Sequence, residues 1–95
     1  MLKYYVSHIK EELDGAIDYM TKAVEKKGTQ CGESFRQMAM MEVDHANNLL
    51  KMFRNTERPK TITDADYAEM YKSLLDTYTD SMNKLESLKK LYWAV

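Results

Sequence analysis

The chain has 95 residues, 14 basic and 15 acidic side chains, and a net charge of −1. That length supports one domain with a small core, which often needs a metal, a disulfide or a second subunit for stability. The single Cys31 excludes a disulfide framework, and the balanced charge gives no basic surface for nucleic acid or an anionic membrane.

No apolar run approaches the roughly 18 residues of a membrane span. The N-terminal stretch MLKYYVSH lacks the apolar region of a signal peptide. With a lone free cysteine, the expected compartment is the cytoplasm. Three Gly, one Pro and abundant Leu, Met, Lys and Glu favour helix, and period-two alternation is missing. The predicted fold class is all-α, one domain over residues 1–95.

The first predicted helix covers about residues 2–27. Its apolar stripe is Leu2, Tyr5, Val6, Ile9, Leu13, Ala16, Ile17, Met20 and Val24. Lys26 and Lys27 suit the cation-favouring end of its dipole, and Gly28 suits the residue just past that end.

The second predicted helix covers about 30–55, with Thr29 as candidate N-cap. Its stripe is Phe35, Met38, Ala39, Glu42, His45, Ala46, Leu49, Met52 and Phe53. The many Met residues read as adaptable core filler. Arg58-Pro59 interrupts the chain.

The third predicted helix covers about 64–92. Thr63 and Asp66 form a capping-box pattern with Asp in place of Glu. Its stripe is Tyr67, Met70, Tyr71, Leu74, Leu75, Tyr78, Met82, Leu85, Leu88 and Leu91. The short link at Gly28–Gln30 forces the first two helices into an antiparallel hairpin. The longer link at 54–63 gives the third helix more freedom; beside a four-helix core made by two hairpins it would lie outside that core or brace the partner chain.

Two polar residues interrupt the second stripe. Glu42 and His45 are three apart, so they share one helix face and can ligate one metal centre. An E-x-x-H alone is weak evidence, but its place among apolar residues makes an uncompensated pair costly to bury. The hairpin adds Glu12. From the turn at Gly28, Glu12 lies roughly 24 Å back and Glu42 roughly 21 Å on, level within about one helical turn. Tyr19, two turns after Glu12 on the same face, is a candidate partner for a metal-bound carboxylate or for His45. His8, four before Glu12, reads as a partly exposed helix residue.

One chain offers two carboxylates and one imidazole, whereas a carboxylate-bridged di-metal site takes four and two. An isologous dimer duplicates every residue and would supply the other half. Two such hairpins would complete a four-helix core.

These features resemble the ferritin-like superfamily. The stretch EELDGAIDY at residues 11–19 resembles its first-helix motif, and FRQMAMMEVDHANNLLKMF at 35–53 resembles the rubrerythrin-type E-x-x-H helix. The nearest likeness is to encapsulated ferritins, half-length members that build their centre across a homodimer. The resemblance implies a di-iron cofactor, with Mn or Zn also accommodated, and ferroxidase chemistry. It casts Glu42 as bridging ligand, Glu12 and His45 as terminal ligands, and Tyr19 as their neighbour. The C-terminal KKLYWAV carries no evident cargo tag, which argues against an encapsulin shell. The competing expectation is a non-enzymatic helical dimer, an adaptor or structural protein, whose Glu42–His45 pair fixes register or holds a structural metal.

Overall fold

The computed structural model describes residues Met1–Val95. It contains three helices, α1 (Leu2–Glu25), α2 (Gln30–Asn55) and α3 (Asp64–Trp93), and no strand. They lie side by side in a rod 52 Å long and 18 by 15 Å across. The all-α expectation holds, and α2 begins and ends where the sequence places it.

The caps follow local chemistry. The Thr29 hydroxyl accepts from the Gly32 amide at 3.0 Å, and that of Thr63 accepts from the Asp66 amide at 3.1 Å. Each satisfies an N–H that a helix start leaves without a partner. α1 stops at Glu25 rather than Lys27, because Lys26–Gly28 form a turn in which Gly28 takes a positive φ of 83°. Lys27 consequently serves another helix. Its Nζ donates to the carbonyls of Leu91 and Ala94 at 3.2 and 3.0 Å, tying down the end of α3.

Gly32 is the residue that makes the hairpin tight. It is buried, and a Cβ there would sit 2.2 Å from the Lys26 carbonyl oxygen. The end of α1 and the first turn of α2 therefore close on each other only with no side chain at this position.

The core fills the groove between α1, α2 and α3 in two clusters. One gathers Leu2, Tyr5, Ile9, Leu13, Ala46, Leu50, Phe53 and Leu74; the other gathers Ala16, Met20, Ala23, Ala39 and Leu85. Phe53 stacks on Tyr67 and Tyr71. Small residues on facing helices (Ala16, Ala23, Ala39, Ala46 and the buried Ser81) allow close approach. Between α2 and α3 the links are long side chains. Tyr78 bonds to Asn47, Arg54 donates to the Tyr71 hydroxyl at 2.8 Å, and Tyr92 donates to Glu33 at 2.8 Å.

The third helix therefore packs on its own hairpin. On α2, the side chains of Glu33, Asn47 and Arg54 reach α3. By helical period, Met38, Glu42, His45 and Met52 lie on the other flank. That arrangement corrects the expected core face of α2. Met38 and Met52 are exposed rather than buried, Met41 beside them is exposed too, and Leu50 rather than Leu49 takes the buried place. Leu91 of α3 is likewise exposed, because it lies on the face of the helix turned away from the hairpin, which Leu85, Leu88 and Tyr92 pack against.

Candidate metal centre

Helix α1 presents Glu12 from the turn between the buried residues Ile9 and Leu13. Helix α2 presents Glu42 and His45 from successive turns beside buried Ala39 and Ala46. The core residues fix the register of the two helices, and that register brings the three side chains together. One ligand-type atom from each lies within 4.8 Å of the others. His45 Nδ1 stands 3.5 Å from Glu12 Oε2.

The cluster sits at the surface of the hairpin and not in its interior. The Glu12 side chain is 26% exposed and that of His45 is 55% exposed. The cost of burying this pair, expected from its place in the apolar stripe, is therefore only partly incurred within one chain. His45 stands largely in solvent, whereas Glu12 and Glu42 are partly buried.

The electrostatics centre on Glu42. A hydrogen bond shared with Glu12, partial burial and the Glu12 charge raise its pKa from 4.5 to about 7, with the His45 charge opposing. Two carboxylates this close resist double ionisation, so they hold one proton between them. A divalent cation between them would replace that proton and relieve the repulsion. Two oxygen donors and one imidazole are a set that suits iron, manganese or zinc. The residues therefore fit half of a carboxylate-bridged di-metal centre.

Gly15, one turn after Glu12, also belongs to the site, although it carries no ligand-type side chain that would mark it. A Cβ at Gly15 would lie 3.4 Å from Glu42 Oε2 and 3.6 Å from its carboxyl carbon. The available signal was a glycine in mid-helix, which usually has a packing reason.

Tyr19 lies further along the same flank of α1. Its ring stacks on Phe35 at 6.2 Å between centroids, with Lys22 Nζ 5.9 Å above it. Within one chain this places Tyr19 in an aromatic pair next to the cluster. His8 lies at the other end, half-exposed, with its ring 4.1 Å from that of Tyr4 and Nδ1 3.5 Å from Glu11.

Comparison with curated proteins and with solved structures found no significant match. A family model described as Rubrerythrin matches residues 7–93, all but the two ends of the chain. That span takes in Glu12, Glu42, His45 and the whole of α3. The chain belongs to the rubrerythrin family, a ferritin-like di-iron family.

Proposed function

We propose that this protein is an iron-handling ferroxidase that works as a homodimer, with one di-iron site shared by two chains. The observation that carries the reading is the convergence of Glu12, Glu42 and His45 on a face rimmed by exposed apolar side chains. Tyr4, Met38, Met41 and Met52 are all exposed on or near this flank. Exposed apolar side chains near a polar centre suit an interface core. Face-to-face pairing of two hairpins would bury them and bring the donor set to four carboxylates and two imidazoles.

In that dimer each residue has a role set by its chemistry. Glu42, once it gives up the proton it shares with Glu12, would hold the metal pair together with Glu12 and the imidazole of His45, two carboxylates and one imidazole from each chain. Tyr19 stands by as a hydroxyl that can approach the ligands once the partner covers the face. The paired metals, when bound, supply the one-electron chemistry that passes electrons from ferrous iron to oxygen or peroxide. Covering by the partner excludes bulk water and stiffens the ligands. The same donors accommodate manganese, and no helix here is long and apolar enough to cross a membrane.

The reading is tested by adding Fe(II) to the purified protein without oxygen and then admitting air. Ferric absorbance should develop faster than in buffer, and Glu42→Ala should return it to the buffer rate. Oxidation no faster than buffer in the unmodified protein would leave a non-enzymatic helical dimer as the function.

A further inference from the structure

Gly15 lies in the middle of α1, far from either end of that helix. Its φ is not positive, so no turn or left-handed backbone requires it. In such a position glycine weakens a helix relative to alanine. The feature that accounts for it is on the neighbouring helix. The Glu42 side chain lies across from Gly15, so that an added Cβ would touch Oε2 at 3.4 Å, the carboxyl carbon at 3.6 Å and Cγ at 3.8 Å. All three nearest atoms belong to one side chain. A single methyl group just fits at these distances, and any atom beyond Cβ directed toward α2 does not.

We propose that Gly15 is a positioning residue for Glu42: the bare backbone at this point of α1 forms the floor on which the Glu42 carboxylate rests beside Glu12 and His45. Glu42 rises from α2 and must cross the inter-helix groove to come within 4.8 Å of Glu12. The direct path passes over the turn of α1 that follows Glu12, and Gly15 is on that turn. A larger side chain would push the carboxylate outward to solvent, away from Glu12. The three ligand-type groups would then no longer converge, although the fold, whose core residues lie on the inner face of α1, would be kept. Gly15 touches no metal and acts only through Glu42. The inference rests on the metal-centre reading for its consequence and on the geometry alone for its placement.

The test separates the two. Crystal structures of the metal-free protein and of Gly15→Val are compared first. The expected result is a Glu42 carboxylate displaced from α1 in Gly15→Val, with its oxygens beyond 4.8 Å from Glu12 and His45. A carboxylate unmoved in the variant overturns the inference, whatever metals do. Binding of Co(II) is then measured by its absorption spectrum. Gly15→Val should bind at least about ten-fold more weakly than the unmodified protein. Gly15→Ala, whose Cβ fits, should bind within about three-fold and melt higher because alanine favours helix. Equal weakening in Gly15→Ala and Gly15→Val, with Glu42 unmoved in both, also overturns it. If the unmodified protein binds no Co(II), the metal-centre reading fails, and the structural comparison still decides the placement. Should Gly15→Val not fold, Gly15→Leu carries the same comparison with better helix propensity.

Discussion

The clearest stability consequence of the candidate centre concerns the metal-free protein and the substitution Glu42→Gln. Glutamine has the shape of the protonated carboxyl and keeps an N–H donor toward Glu12, but it cannot ionise. Glu42 titrates at about 7 in the folded chain against 4.5 for the unfolded one. Between those values the folded state holds a proton that the unfolded state has lost, so stability falls as pH rises. The contribution of protonated Glu42 is whole below pH 4.5 and gone above about 7. At full strength the displacement corresponds to about 3 kcal/mol. Solvent reaches this half-exposed pair and screens it, so about 1 kcal/mol is the expected size. For a domain of this length that is a melting shift of about 4–8 °C. The assay is thermal unfolding by circular dichroism in chelator, from pH 4 to 8, for both proteins. The difference between the curves isolates the coupled Glu12–Glu42 pair. Glu42→Gln should match the unmodified protein near pH 4.5 and exceed it by several degrees near pH 7.5. Parallel curves across that range would refute the coupling between Glu12 and Glu42.

Three further outcomes follow from the same structure. Gly32→Ala places a Cβ against the Lys26 carbonyl oxygen, which is backbone and cannot step aside; it should cost at least about 2 kcal/mol in urea unfolding, whereas an equal stability would mean the hairpin turn is less tight than described. Glu33 is held down at about 2 by hydrogen bonds from Arg36 and Tyr92. Its stabilisation is therefore present above pH 4.5 and lost as pH falls toward 2, and Glu33→Gln should flatten that limb of an acid-unfolding curve. Met38→Lys with Met52→Lys changes two exposed residues of α2; sedimentation velocity should find a monomer with unchanged helix content, and an intact dimer would show that this flank is not the interface.

Much of the fold was legible because its signals are local. Thr29 and Thr63 announced the starts of α2 and α3 by cap chemistry, and the hydroxyls do accept from Gly32 and Asp66. The level match of Glu12 and Glu42 needed only the helix rise and a short turn, and the structure brings both together with His45. Less legible was which apolar residues are core. The stripe of α2 is wide enough to serve two surfaces, and periodicity cannot tell a face covered by α3 from one left open. Periodicity thus places Met38 and Met52 in the interior although they are exposed, and Leu50 is buried. The place of α3 depended on long-range contacts such as Tyr92 with Glu33, which no local pattern encodes. Glycine roles were hidden for the same reason. Gly15 and Gly32 matter through what lies across from them, Glu42 and the Lys26 carbonyl, and not through their own conformation.

In the proposed dimer a complete centre belongs to two chains. The most direct test of this sharing is an anaerobic Fe(II) titration in which bound iron and molecular mass are read on the same samples by analytical ultracentrifugation. Binding should saturate at one iron per chain, two per dimer, with all tightly bound iron in the dimer and none retained by Glu42→Ala. Iron held with the same affinity by a monomer, or iron uptake unchanged in Glu42→Ala, would contradict a shared centre.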